Sequence, residues 1–243
     1  MREPLVIAVA QPHCVPYDVA ANAATHAATV RAAGARVVVF PEMSLTGYEL
    51  DSPAIAADDR RVTPIVEACA ATGSLALVGA PVPGEAGQSH IGMLAIDGTG
   101  ATVVYRKMWL STAEAQRFSA GREPAVLRVD GWRLGLAICK DTGVAQHWSD
   151  TAALGIDAYV AGVLESAGDA AVPDERACHI SAAHRVWVAM ASFAGSTGGG
   201  YSRAAGGSAV WDPDGVIVAQ AGPEPGTIAR ASLTEGARLK IGG

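Results

Sequence analysis

Charge is scarce in this chain. Only 17% of its 243 residues are Asp, Glu, Lys or Arg, and the 18 basic residues are outnumbered by 24 acidic ones. A formal net charge of −6 with no basic run argues against a partner held through phosphates, so no nucleic acid is expected. Aromatic residues are also few, at 5%, and none forms a stripe interleaved with basic residues. Long apolar runs are missing too. The first, Leu5 to Ala10, stops at Gln11-Pro12 and is too short for a signal peptide or a membrane span. No membrane partner and a cytoplasmic location are therefore expected. The four cysteines, Cys14, Cys69, Cys139 and Cys178, contain no C-x-x-C spacing, which excludes a zinc ribbon and gives no sign of a disulfide framework. His179 and His184, near Cys178, lack the i, i+4 spacing of a helical metal pair, so no metal is expected.

What the chain has is apolar residues, 50% of the total, enough for a large core. They fall into an alternation of strands and helices. Leu5 to Ala10 reads as a strand, and Asp18 to Ala33 as a helix capped by Asp18 and ended by Gly34. Val37 to Phe40 is a second buried strand cut short by Pro41, which has no N–H for a ladder, so Glu42 leaves the sheet at its carboxyl edge. A helix from Thr63 to Ala71 leads to strands at 75–79, 91–96 and 102–105, the last two joined through Asp97-Gly98, with Lys107 just beyond. Strands at 126–129 and into Cys139 flank Asp130-Gly131, and a helix from Val144 to Leu154 follows. A strand at 157–160, a helix opened by Pro173-Asp174-Glu175 and a strand at 186–192 repeat the pattern. Strands at 208–211, 216–219 and 227–233 end it, the first two around Pro213-Asp214-Gly215. This alternation predicts an α/β layered fold with mixed sheets, made of two similar halves.

In such folds ligands bind outside the carboxyl ends of strands, and Glu42, Lys107 and Cys139 are all expected at that edge. A cysteine at a strand end is, alone, more often a small core hydrophobe than a nucleophile. A carboxylate and an ammonium beside it change that balance. The carboxylate can take the thiol proton, the sulfur can attack a carbonyl carbon, and the ammonium can steady the resulting oxyanion.

The local sequences around these three residues carry a resemblance. Phe40-Pro41-Glu42-Met43-Ser44-Leu45-Thr46-Gly47-Tyr48, then Tyr105-Arg106-Lys107, then Gly135-Leu136-Ala137-Ile138-Cys139-x-Asp141 resemble, in that order, the nitrilase superfamily of carbon–nitrogen hydrolases. The likeness runs from Gln11, Asp18 and Asn22 to Trp211-x-Pro213-x-Gly215. It implies one carbon–nitrogen hydrolase domain over residues 1–243, folded as a four-layer αββα sandwich, and a homodimer or larger assembly. It also implies Glu42 as general base, Lys107 as oxyanion stabiliser and Cys139 as nucleophile. Glu114-x-x-x-Phe118-x-x-Gly121 is similar to the family's second glutamate element, which makes Glu114 a candidate for positioning substrate. The expected substrate is a small aliphatic amide or carbamoyl compound, hydrolysed through a thioester with no metal or cofactor. Nitrile hydrolysis by the same triad and a nitrilase-like binding protein without turnover are the alternatives.

The chain departs from the family after the nucleophile, where Lys140 and Thr142 to Trp148 replace an aromatic residue and a Phe-Pro-Glu-like segment. The expected substrate contacts are Lys140 and His147 in this stretch, Tyr48 beside Glu42 and Glu165 just after the strand near Val160, with Trp109, beside Lys107, a further wall. Gly195 to Gly207 holds six glycines but no following Gly-Lys-Ser/Thr, so it reads as a loop lining the pocket and not as a nucleotide cradle.

Overall fold

A computed structural model describes residues 2–235 of the chain; the remaining residues of the expected 1–243 unit lie outside the described range. Strand β1 (Leu5–Gln11) is followed by helix α1 (Val19–Ala33), with Asp18 accepting from the Ala21 N–H and Gly34 ending the helix at φ +55°. Then come β2 (Val37–Val39), α2 (Thr63–Thr72), β3 (Leu75–Pro83), β4 (Ser89–Asp97) and β5 (Gly100–Arg106). The second half supplies β6 (Ala125–Val129), β7 (Trp132–Ile138), α3 (Ala145–Ala153), β8 (Ala158–Val163), α4 (Val172–His184) and β9 (Trp187–Ser192). Two short strands, β10 (Ala194–Gly195) and β11 (Ala204–Ala205), precede β12 (Ala209–Trp211), β13 (Ile217–Gln220) and β14 (Thr227–Leu233). Every element expected from the sequence is present. The largest change is β3, which continues through Gly79, Pro81 and Pro83 to lie along the whole of β4, where sequence reasoning ends it at Gly79.

Two six-stranded sheets result, ordered β14-β1-β2-β3-β4-β5 and β13-β12-β9-β8-β7-β6. Each has three parallel central strands, β1-β2-β3 in one and β7-β8-β9 in the other, with antiparallel strands outside them. The two-residue period of a strand divides the side chains between two layers. Ile7 and Val9 face inward to a core shared with Leu134, Leu136 and Val160 of the opposite sheet. Ala8 and Ala10 face outward and pack beneath Ala23, Ala27 and Val30 of α1. On the far side Tyr159 and Ala161 meet Ala177 and Ile180 of α4 in the same way. The layers are therefore helix, sheet, sheet, helix, as the resemblance implies. Gln11 fastens them at one end of β1: its amide donates to the Gly222 and Glu224 carbonyls and accepts from the Ser208 N–H.

This packing brings the carboxyl ends of β2 and β7 together. The segment after β2 passes between glycines of both sheets. A Cβ at Gly162 in β8 would stand 2.6 Å from the Phe40 oxygen and 2.9 Å from the Glu42 nitrogen, and one at Gly79 in β3 would overlap the backbone of Pro41, Glu42 and Met43. Only glycine leaves room for the turn that carries Glu42.

Candidate active site

Glu42 leaves β2 through Pro41 into a tight turn, with Ser44 N–H donating to the Pro41 carbonyl and Met43 in the left-handed region at φ +53°. Helix α1 holds that turn from outside. His26 stacks on Phe40 at 4.1 Å and bonds the Ser44 hydroxyl through Nε2, while Asn22 donates to the Leu45 carbonyl. Lys107 follows β5, and Glu114 stands in a single helical turn beyond it.

These three side chains are buried and linked. Lys107 Nζ lies 2.7 Å from Glu42 Oε1 and 2.7 Å from Glu114 Oε1. Glu114 Oε1 also accepts from the Tyr48 hydroxyl at 2.6 Å, and its Oε2 from the Ser111 N–H at 2.7 Å. Glu42 is different: its Oε2 is buried with no hydrogen-bond partner among the described residues, and the Cys139 thiol lies beside the carboxylate. Burial and the nearby Glu114 push the Glu42 carboxyl up to about 7, against the pull of Lys107. Burial also disfavours the charge on Lys107, but Glu42, Cys139 and Glu114 outweigh it and hold the ammonium above its ordinary pKa. Glu114 stays below its ordinary value because Lys107, Tyr48 and the Ser111 N–H outweigh its burial. The cluster therefore contains a fixed cation, a fixed anion and one carboxylate poised near neutrality.

Cys139 follows β7 at φ +41° and opens a single helical turn, Cys139–Gly143. A β-substituted residue in that region is strained, and such strain clusters at working sites. The thiol is half-buried and donates to the Leu164 carbonyl at 3.4 Å. Burial, followed by the charge of Glu42, pushes it well above the ordinary thiol range, with Lys107 acting against them. The thiol is therefore protonated at rest and needs an adjacent base, which Glu42 can supply.

Asp141 holds the turn in place. Its Oδ2 accepts from the Ile138 N–H at 2.9 Å and the Tyr105 hydroxyl at 2.7 Å, and its Oδ1 accepts from the Trp109 N–H at 2.9 Å. One carboxylate thus joins the cysteine turn to the loop after Lys107.

Of the expected substrate contacts, Tyr48 lies at the site, bonded to Glu114 and edge-on to Tyr201 with ring centres 5.5 Å apart. Glu165 also lies there, paired with Arg176 at 2.6 Å, and its charge reaches the thiol. His147 does not face the opening. It is closed to solvent, with Nε2 at 2.9 Å from the Tyr105 hydroxyl and Nδ1 at 2.7 Å from the Tyr159 hydroxyl, so neither ring nitrogen is left for a substrate. Because Tyr105 donates to Asp141, the network assigns the hydrogen to Nε2. Lys140 also differs from expectation: its exposed side chain donates to the Leu110 carbonyl. Trp109 packs edge-on to His147.

Sequence reasoning misses Arg176, Tyr201, Gly79 and Gly162. Tyr201 belongs to the glycine-rich loop expected to line the pocket, so a lone aromatic among small residues was the available signal. Gly162 and Gly79 each interrupt a buried apolar strand, the mark of close backbone approach. Among the described residues no group of His, Cys, Asp and Glu could hold a metal, and no helix is long and apolar enough to cross a membrane.

Comparison with known proteins matches residues 6–238 to the carbon–nitrogen hydrolase family. A curated relative, the "Hydrolase in pqqF 5'region" of Pseudomonas protegens, is 28% identical over 92% of this chain and 82% of its own length. Among solved structures, Saccharomyces cerevisiae Nit3, of branch 10 of the nitrilase superfamily, superposes with a TM-score of 0.84 at 20% identity, covering 96% of this chain and 90% of that one. A variant of the amidase from Nesterenkonia sp. AN1, bearing the Michael addition of acrylamide at its active site cysteine, does so with a TM-score of 0.83 at 21% identity, covering 95% and 93%.

Proposed function

Because the chain belongs to the carbon–nitrogen hydrolase family, we propose that it is an amidase that hydrolyses a small aliphatic amide or carbamoyl compound through a thioester on Cys139. The observation that carries this reading is the buried chain Glu42–Lys107–Glu114 beside the thiol, with Oε2 of Glu42 left free to take a proton. The similarity to a solved amidase supports amide over nitrile as substrate.

In the first step the Cys139 proton passes to Glu42 as the sulfur attacks the carbonyl carbon, and the carbonyl π electrons move to oxygen. Lys107 Nζ and the Lys140 N–H face that oxyanion. Glu42 then gives its proton to the amide nitrogen, the C–N bond breaks, and ammonia or an amine leaves a thioester. Water enters, loses a proton to Glu42 and attacks the thioester; the C–S bond breaks, the carboxylic acid departs, and Glu42 returns its proton to the sulfur, restoring the thiol. Each donor to the oxyanion contributes about a hundred-fold or more in rate. Glu114 fixes Lys107 in place and keeps it protonated. Tyr48 and Glu165 line the substrate's approach. The unit is a single carbon–nitrogen hydrolase domain acting in the cytoplasm.

Ammonia release from a panel of linear amides and the matching nitriles, with intact-mass detection of an acyl adduct, tests the reading. Turnover of amides with an acyl-enzyme at Cys139 is expected. Amide turnover that survives in Cys139→Ala, or no adduct with any amide, overturns it.

A further inference from the structure

Glu165 follows the residue whose carbonyl accepts from the Cys139 thiol, and its negative charge opposes thiolate formation. Nothing in the proposed chemistry uses that charge. Its partner is Arg176 on α4, and the same guanidinium nitrogen, Nη1, lies 2.6 Å from Glu165 Oε1 and 3.2 Å from the Thr142 hydroxyl. The Thr142 hydroxyl in turn donates to the Cys139 carbonyl at 2.6 Å. The guanidinium also packs against Gly143, where a Cβ would stand 3.2 Å from Nε. Trp148 completes the attachment, donating to the Thr142 carbonyl at 2.8 Å and stacking on His179 of α4.

We propose that Arg176 is a positioning and charge-balancing residue for Cys139: it neutralises the carboxylate of Glu165 beside the thiol and ties the turn that carries the thiol to α4. It touches no reacting atom. This rests on Cys139 as the nucleophile, and it gives the divergent segment from Thr142 to Trp148 a purpose: those residues are the seat of the clamp.

The groups around the thiol come from several elements: Glu42 after β2, Tyr48 beyond it, Lys107 after β5 and Glu114 in the next turn, Glu165 after β8, and Tyr201 in the glycine-rich loop. Thiol and Glu42 titrate together, so the readout is the apparent midpoint of Cys139 reactivity. It is measured as the pH dependence of iodoacetamide alkylation, followed on the Cys139 peptide by mass spectrometry. This readout needs no amide turnover, so failure of the amidase reading and failure of the clamp are separable.

Arg176→Gln leaves Glu165 unbalanced and is expected to move the midpoint to higher pH by roughly one unit, slowing alkylation about tenfold at a fixed pH below it. Glu165→Gln leaves Arg176 unbalanced and is expected to move it to lower pH. The double variant should return close to the parent, and Arg176→Lys, which keeps the charge, should stay closer to the parent than Arg176→Gln. If Arg176→Gln does not fold, the downward shift in Glu165→Gln still decides. Shifts of the same sign, no shift, or slower alkylation at every pH with an unmoved midpoint overturn the proposal, the last because it is what a purely structural arginine would give.

Discussion

Lys107 Nζ stands 2.7 Å from Glu42 Oε1, with both side chains closed to solvent. Glu114 binds the same ammonium at the same distance, so one cation compensates two buried carboxylates. Removing one partner of such a buried set is costly because charge is left uncompensated. Lys107→Met is expected to lower unfolding stability by about 3–5 kcal/mol and amide turnover by at least about a hundred-fold. Adding Glu42→Gln to it should recover part of the stability and none of the activity. Thermal unfolding and ammonia release check both; a variant as stable as the parent would contradict the burial of the pair.

The carboxyl of Glu42 is held at about 7, above the ordinary glutamate value, so it is protonated in mildly acidic solution. Only its ionised form can take the thiol proton. Activity is therefore expected to be low at acidic pH and to rise as pH passes through about 7, as kcat/KM against pH would record. A limb lying in the usual carboxylate range would show that Glu42 is not the base. The sign for stability is the reverse. A carboxyl with a raised folded pKa favours the folded state at low pH, and this contribution is lost as pH rises through about 7.

Gly162→Ala places a methyl 2.6 Å from the Phe40 oxygen and 2.9 Å from the Glu42 nitrogen. The obstacle is backbone, which cannot rotate aside. Loss of about 1–3 kcal/mol is expected from overpacking, with kcat falling because the displaced segment carries the base. Denaturant unfolding with steady-state kinetics would check it, and undiminished kcat would show that the turn has slack.

Tyr105→Phe removes one donor to Asp141 and the acceptor of His147 in a buried network. A cost of roughly 1–3 kcal/mol follows from leaving buried polar groups unpaired. His147→Phe, with no buried nitrogen to satisfy and no role in contacting substrate, should alter stability while leaving KM unchanged. A large KM effect in His147→Phe would return that residue to the substrate pocket.

The order of strands and helices was legible because buried parallel strands read as short apolar runs and turns as Asp-Gly or Pro-Asp-Gly. β3 was not legible past Gly79, because Pro81 and Pro83 read as breakers although β3 keeps its pairing with β4 through both. Glu42, Lys107 and Cys139 are legible as candidates because each follows a strand and sits in a recognisable local pattern, and the packing does bring them side by side. His147 and Lys140 bond away from the expected pocket for one reason: position along the chain near a cysteine does not give the direction of a side chain. His147 turns inward to two tyrosines that arrive from other strands, 42 and 12 residues away. Arg176 escaped notice because its partners, Glu165 and Thr142, are brought to it only by the packing of α4 on the second sheet.

Strand β14 pairs with β1 along its full length, Leu5 with Leu233 through to Gln11 with Thr227. The sheet that carries Glu42 is thus closed by a strand from far along the chain, and Cys139 follows a strand of the other sheet. Glu42, Lys107 and Cys139 all precede β14, so a chain cut short before Thr227 would hold all three side chains yet leave β1 with an unpaired edge.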